Sequence, residues 1–314
     1  MLKCKYPIFL PGMSWISKAE LVAAVSKAGG VGILATGPLN AEETRAEIQK
    51  IKKLAPGKPF GIGATLLMPG AAENAKVALE EEVPLINVSL GKPDGIAEEA
   101  HKYGGKVVCT VTNAEHASKA IDNGADLLMV TGHEAAAHGG DVTSLVLVPS
   151  LANQFPDTPI VAAGGFADGR GLAAGLSLGA DAIAFGTRFA ITMESPVAQH
   201  TKNVIASLDS TETQTIDTKN FDGIPARVLA SPAAIEANRK RQPFPVVMWR
   251  AFKAAQSMGI PLWKVIPGLL TQYEKMYAVA QFGAATEAIM AATVDGELEK
   301  KGVQFVGQYF VHTH

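Results

Sequence analysis

The sequence predicts an α/β protein, a (β/α)8 TIM barrel with a C-terminal helical lid or side domain. Two observations predict it. From Pro7 to Phe185, short apolar stretches alternate with amphipathic ones, the pattern of buried parallel strands joined by helices. Late in that alternation, Ile160-Val161-Ala162-Ala163 runs into Gly164-Gly165, and Ala182-Ile183-Ala184-Phe185 runs into Gly186-Thr187-Arg188. Glycines at the ends of two neighbouring strands let backbone N–H groups approach a phosphate closely. In a β/α barrel the loops after the last two strands commonly hold one.

The candidate strands are residues 7–10, 32–35, 60–66, 85–89, 106–111, 127–131, 160–163 and 182–185, each short, apolar and bounded by Gly, Pro or Asp. Helices are expected between them at 18–28, 41–54, 72–82, 94–103, 114–123 and 170–178. Asn40 and Asn113 stand where N-caps belong, and Gly29-Gly30 and Gly104-Gly105 suit helix stops. A doubly wound sheet is the rival, which periodicity alone does not exclude; near-uniform spacing and the late glycine loops favour closure. After Pro196 the texture changes. Residues 210–222 are polar and read as loop, and 233–241, 246–258, 261–283 and 284–294 read as helices. The expected domains are a barrel over 1–195 and a mainly helical extension over 196–314. The apolar content of 243–252 and 260–270 suits either a subunit interface or a lid core, so a homodimer stays open.

The chain has 314 residues, 47% of them hydrophobic, enough for one continuous barrel core. A net charge of −2 supplies no positive field for nucleic acid, and Arg239-Lys240-Arg241 reads as a solvated face. Cys4 and Cys109 are the only cysteines, which suits a reducing cytoplasm, and Cys109 sits in an apolar strand as a buried, inert thiol would. The segment 6–11 is too short and Pro-broken for a signal core. No apolar run approaches the ~18–20 residues of a membrane span.

The clearest polar constellation is Thr131-Gly132-His133-Glu134-Ala135-Ala136-Ala137-His138-Gly139-Gly140-Asp141. It follows the sixth strand, on the face where barrel active sites lie. His138 is a candidate acid–base residue, or a loop histidine bonding the backbone; both readings stand. His133 and His138 are five apart rather than the four of a metal-binding helix, so no metal is expected and His133 reads as a packing or hydrogen-bonding residue. Glu134 either orients His138 or caps the loop. Phe9-Leu10-Pro11-Gly12-Met13-Ser14-Trp15 turns the chain over the barrel mouth, where Met13 and Trp15 serve as site wall or core. Gly61 and Gly63 inside the third strand mark a close approach. Thr65 and Thr110 offer hydroxyls, with a structural role as the default. Arg188 is better placed than Lys58 to neutralise a phosphate, unless it pairs with Glu194. Neither a P-loop nor a Rossmann glycine motif is present.

Phe166-Ala167-Asp168-Gly169-Arg170-Gly171 after Gly164-Gly165, with Gly186-Thr187-Arg188-Phe189 one βα unit later, resembles the nitronate monooxygenase (2-nitropropane dioxygenase) family of FMN-dependent TIM barrels. That family is related to FMN-dependent enoyl-[acyl-carrier-protein] reductases and NADH:quinone reductases. Tyr6-Pro7-Ile8, Gly12-Met13, Lys58-Pro59-Phe60-Gly61, the Glu134-to-His138 loop and Val306-Gly307-Gln308 extend the resemblance along most of the chain. It implies an FMN site drawn from Gly12, Met13, Thr65, Thr110, Thr131, Ala137, Gly164, Gly165, Gly186 and Thr187. Gly165, Gly186 and Thr187 would take the phosphate, and Gly12 and Met13 would lie against the ring. His138 matches the family histidine that acts as base or polarises the substrate.

The implied reaction is oxidation of a small-molecule nitronate or nitroalkane with oxygen to a carbonyl compound and nitrite. An NAD(P)H-dependent flavin reductase, a cofactor-free phosphate-binding barrel enzyme and a non-catalytic flavin-binding protein are the alternatives. The chain departs from the family at Leu10 (often Gln), Gly63 (often Asn), Thr110 and Thr131 (Lys and Asp in some members) and Ala136-Ala137 (Gly-Gly). The implied phosphate grip is intact, whereas the implied ring pocket is altered.

Overall fold

The computed structural model describes residues 2–66, 70–93, 95–136, 139–208, 214–218, 226–239, 243, 245–246, 249, 285–286, 288–299 and 301–307. Eight parallel strands close into a barrel in sequence order. They are β1 (Ile8–Leu10), β2 (Val31–Ala35), β3 (Phe60–Thr65), β4 (Leu85–Ser89), β5 (Lys106–Val111), β6 (Leu127–Thr131), β7 (Ile160–Ala163) and β8 (Ala182–Ala184). Closure is made where Ile8 and Phe9 of β1 register with Ile183 and Ala184 of β8. The doubly wound alternative is thereby excluded. Between the strands run α1 (Ala19–Ala28), α2 (Ala41–Leu54), α3 (Ala71–Glu80), α4 (Ile96–Lys102), α5 (Ala114–Asp122), α6 (Ser144–Gln154) and α7 (Gly169–Ser177).

Local chemistry accounts for the boundaries. Asn40 and Glu43 form a reciprocal capping box on α2, each side chain bonded to the other's N–H at 2.9 Å, and Lys52 and Lys53 complement the opposite pole. Asn113 accepts from His116 N–H at 2.8 Å to start α5. Gly29, with φ at 105°, stops α1 in the left-handed conformation. Alternate residues Phe9, Val31, Ile33, Leu85, Val108, Leu127, Met129, Val161, Ala182 and Ala184 form one buried cluster, the layered filling of a small barrel. Continuing that alternation carries polar side chains to the inner face at the C-terminal ends of β3 to β6.

The chain divides into two compact units, Met1–Ala135 with Gly140–Pro196, and Ala136–Gly139 with Val197–His314. In the second lie α9 (Gln199–Ser207), β9 (Thr215–Thr218), β10 (Ala226–Leu229) and α10 (Pro232–Arg239); α8 (Thr187–Ala190) is a single turn after β8. The loop expected over 210–222 is corrected by β9, which pairs antiparallel with β10. A four-residue Thr-Ile-Asp-Thr stretch carries little signal by itself and owes its extended form to its partner. α9 hangs on residues 292–293 through Ala198 N–H to Thr293 O at 2.8 Å and the Thr201 hydroxyl to Ala292 O at 2.6 Å. The helices expected over 246–258 and 261–283, and Lys240 and Arg241, lie wholly or largely outside the described residues. Among the described residues, no helix is long and apolar enough to cross a membrane.

Candidate active site

The site is built at the C-terminal ends of β7 and β8. Strand β7 breaks at Gly164 and Gly165, whose φ values of 104° and 80° fall in the left-handed region that a side chain makes costly. A Cβ on Gly164 would also press to 3.0 Å from Ala135 N and 3.2 Å from Gly132 O. Gly186 follows β8 differently. Its φ is −89°, and among the described residues a Cβ there would meet nothing nearer than Met13 Sδ at 3.9 Å. Its missing side chain therefore leaves open space. The N–H groups of Gly165 and Gly186 find no acceptor among the described residues. Backbone donors this close to a core are normally satisfied, so two unclaimed donors on adjacent loops suit an external anion. Two residues beyond Gly186, Arg188 Nη1 is buried with no partner among the described residues, and the alternative pair with Glu194 does not form. Asp168 caps α7, accepting from Arg170 N–H at 2.9 Å and Gly171 N–H at 3.1 Å. Its carboxyl is held below the ordinary value chiefly by the Arg170 side chain.

The β6–α6 loop packs on this turn through Glu134. Its carboxylate accepts from Ser144 N–H at 2.8 Å and lies 2.9 Å from the Ser144 hydroxyl, while that hydroxyl also lies 2.9 Å from Gly164 O. The adjacent Thr143 makes no side-chain cap, so Glu134 caps α6 from ten residues away. Glu134 thus caps the helix that follows its loop; its other expected role, orienting His138, falls on a residue outside the described ones. His133 bonds the loop to itself, Nδ1 lying 3.2 Å from Gly140 O and N–H donating to Val142 O at 2.9 Å.

Beside β8, the β1–α1 turn is tied by buried Ser17, which accepts from Met13 N–H at 3.0 Å and donates to Pro11 O at 2.7 Å. Trp15 takes φ 62° within it. Ser89 and Thr65 share a hydroxyl–hydroxyl bond of 3.1 Å. Asn87 donates to Val108 O at 3.3 Å and to the Thr110 hydroxyl at 3.2 Å, and Thr131 is buried at the end of β6. The inner rim from β3 to β6 is thus polar and uncharged. Cys109 is no nucleophile: burial pushes its thiol up to about 12. Among the described residues, no group of three or more His, Cys, Asp or Glu is placed to hold a metal.

The structure thus brings Gly164, Gly165, Gly186, Thr187 and Met13 to neighbouring loops, and Thr65, Thr110 and Thr131 to the inner rim. Ala137 and His138 lie outside the described residues. Sequence reasoning missed Asn87, Ser89, Ser17 and Ser144. For Asn87 a signal existed: one amide inside Leu-Ile-Asn-Val-Ser, in register with inward-facing neighbours. Ser144 carried none, because its role depends on a contact with β7.

The nitronate monooxygenase family model matches residues 1–82 and 72–312. The chain belongs to the nitronate monooxygenase family. It is 33% identical, over 98% of its length and 88% of the other's, to the (3aS,4S,5R,7aS)-5-hydroxy-7a-methyl-1-oxo-octahydro-1H-indene-4-carboxyl-CoA dehydrogenase of Mycobacterium tuberculosis. It is 30% identical to a probable nitronate monooxygenase of Staphylococcus saprophyticus over 72% of this chain and 76% of that one. The structure of FabK from Thermotoga maritima superposes with a TM-score of 0.77 at 32% identity, covering 98% of this chain and 86% of that one. A nitroalkane oxidase from Streptomyces ansochromogenes shares the fold, with a TM-score of 0.78. The chain is accordingly an oxidoreductase, and nitronate monooxygenase relatives are flavin-dependent. The residues present fit a flavin's phosphate end: among the described residues, two N–H donors without an acceptor, a Cβ-free space at Gly186 and a buried guanidinium nitrogen without a partner.

Proposed function

We propose that the protein is an FMN-dependent oxidoreductase of nitronate monooxygenase type, oxidising nitronates or nitroalkanes with oxygen to carbonyl compounds and nitrite. The observation that carries the reading is the pair of N–H groups at Gly165 and Gly186, on adjacent loops and without an acceptor among the described residues; Arg188, two residues past Gly186, adds a buried Nη1 that also lacks a partner among them. When bound, FMN supplies the electron-accepting ring, and the protein supplies binding, orientation and electrostatics. Gly165 and Gly186 donate to the phosphate, with Thr187 beside them, and Arg188 offsets its charge. Gly12 and Met13 keep one wall of the ring site close and apolar. Thr65, Thr110, Thr131 and Asn87 line the site with neutral donors and acceptors. The family resemblance adds Ala137 and His138, with His138 as the residue that would hold or remove the proton on the substrate carbon that bears nitrogen.

A second reading has its own support. The likeness to a CoA-thioester dehydrogenase covers nearly the whole chain, and FabK is similar at 32% identity. It makes the protein a flavin enzyme acting on an acyl thioester, with NAD(P)H as electron donor where the thioester is reduced and the thioester itself as donor where it is oxidised. The absorbance spectrum of the purified protein, before and after anaerobic addition of a nitronate or NADH, decides. Bleaching of a yellow, FMN-containing protein by the nitronate is expected. Bleaching by NADH alone favours the second reading, and a colourless protein that cannot be reconstituted with FMN ends both.

A further inference from the structure

The Ser144 hydroxyl has one hydrogen and three oxygens within reach. Glu134 Oε2 and Gly164 O both lie at 2.9 Å, and Ala163 O lies at 3.4 Å. A hydroxyl donates once, so these acceptors compete. The competition matters because Gly164 O belongs to the Gly164–Gly165 peptide, which is trans. In a trans peptide the C=O and the following N–H point in opposite directions in one plane. A hydrogen bond that holds the Gly164 carbonyl towards α6 therefore turns the Gly165 N–H away from Ser144, free of any acceptor among the described residues. Both glycines sit at positive φ, where no Cβ restrains the plane, so the restraint must come from a neighbour. Gly132 makes room for that neighbour. A Cβ there would sit on the Ser144 hydroxyl and 2.8 Å from Glu134 Oε2.

We infer that Ser144 is a positioning residue for the phosphate turn, aligning the Gly165 N–H through the Gly164 carbonyl. The inference rests on the FMN reading above. An anion accepting from Gly165 N–H polarises the same peptide and strengthens Gly164 O as an acceptor. The Ser144 hydrogen, contested by Glu134 and Gly164 O at equal distances in the flavin-free protein, then goes to Gly164. Glu134 keeps the Ser144 N–H bond at 2.8 Å, so the cap on α6 survives the exchange. Ser144 is in this way sensitive to whether the flavin carries its phosphate.

The test is binding of FMN and of riboflavin to the flavin-free full chain, followed by quenching of flavin fluorescence. Wild type is expected to prefer FMN. Ser144→Ala keeps the main-chain bond to Glu134 and is expected to weaken FMN binding about five- to tenfold, the reach of one supporting hydrogen bond, while leaving riboflavin binding unchanged. Ser144→Thr restores the hydroxyl and the preference. A purely structural role would weaken both flavins alike. If Ser144→Ala does not fold, Ser144→Cys, a near-isosteric weak donor, is compared with Ser144→Thr, and the same loss of preference is expected. An unchanged FMN-to-riboflavin preference in the serine variants overturns the role of Ser144. Wild type that binds both flavins equally, or neither, overturns the FMN reading and this inference with it.

Discussion

Ser17 and Met13 are bound across the first barrel turn, the serine hydroxyl accepting from Met13 N–H at 3.0 Å while donating to Pro11 O at 2.7 Å. One buried side chain thereby fixes the strand end and the residue that faces Gly186. The turn also holds Trp15 at φ 62°, a conformation costing roughly 1–2 kcal/mol for a residue with a side chain. Ser17→Ala leaves a donor and an acceptor without their partner. It is expected to lower stability by about 2 kcal/mol in urea unfolding and to weaken flavin binding, because Met13 is no longer held against the site.

The barrel was legible because its signals are local. Asn40 and Asn113 cap the helices assigned to them, and strands such as Leu85–Ser89 and Ile160–Ala163 are apolar runs with hard stops. Helix α6 was not legible. Its Ser-Leu-Val-Leu-Val-Pro sequence lacks a polar face, leaves Leu145 and Val146 exposed and carries Pro149, and its cap comes from Glu134, ten residues upstream in the loop that leads into it. Strand β9 was hidden for a related reason, since pairing with β10 rather than its own composition holds it extended. In the site, glycine doublets announce themselves. Ser17 and Ser144 do not, because a serine acquires meaning only from what the fold puts beside it.

Asp126, at the start of β6 and at the end of the barrel opposite the glycine turns, predicts a pH dependence of stability. Burial alone would raise its pKa, but Lys106 at 2.8 Å, Val107 N–H at 2.9 Å and His101 at 2.8 Å outweigh that and hold it below the ordinary 3.8. The unfolded chain therefore takes up this proton more readily than the folded one. The stability Asp126 contributes is present above pH 3.8 and is lost as pH falls through the lower, folded value. Asp126→Asn is expected to lower the unfolding temperature by a few degrees at pH 7 and to approach wild type below pH 3.8. Thermal scans at the two pH values check this, and flavin binding should be unaffected.

For His138 the expected separation is between chemistry and binding. A positioned acid–base residue contributes about 10²–10⁴-fold to a rate. His138→Ala is therefore expected to lower kcat for a nitronate by at least about 10²-fold while changing the Kd for FMN little. Steady-state kinetics and a flavin titration on the same preparation measure the two. An unchanged kcat removes the proposed role.

Gly164 and Gly186 should fail in opposite ways when given a methyl group. Gly164→Ala forces a side chain into φ 104° and to 3.0 Å from Ala135 N, with backbone on both sides and little freedom to yield. A loss of about 2 kcal/mol or more in folding stability is expected even without flavin. Gly186→Ala meets only Met13 Sδ at 3.9 Å, with φ at −89°, so the folded protein itself has room for the methyl. The space it fills is the one proposed for the phosphate, and FMN binding should fall at least about tenfold, or 1.4 kcal/mol, with the flavin-free unfolding temperature nearly unchanged. Calorimetry of both flavin-free variants, followed by FMN titration, separates the two. Equal damage to stability from both substitutions would show that Gly186 serves the fold rather than a ligand.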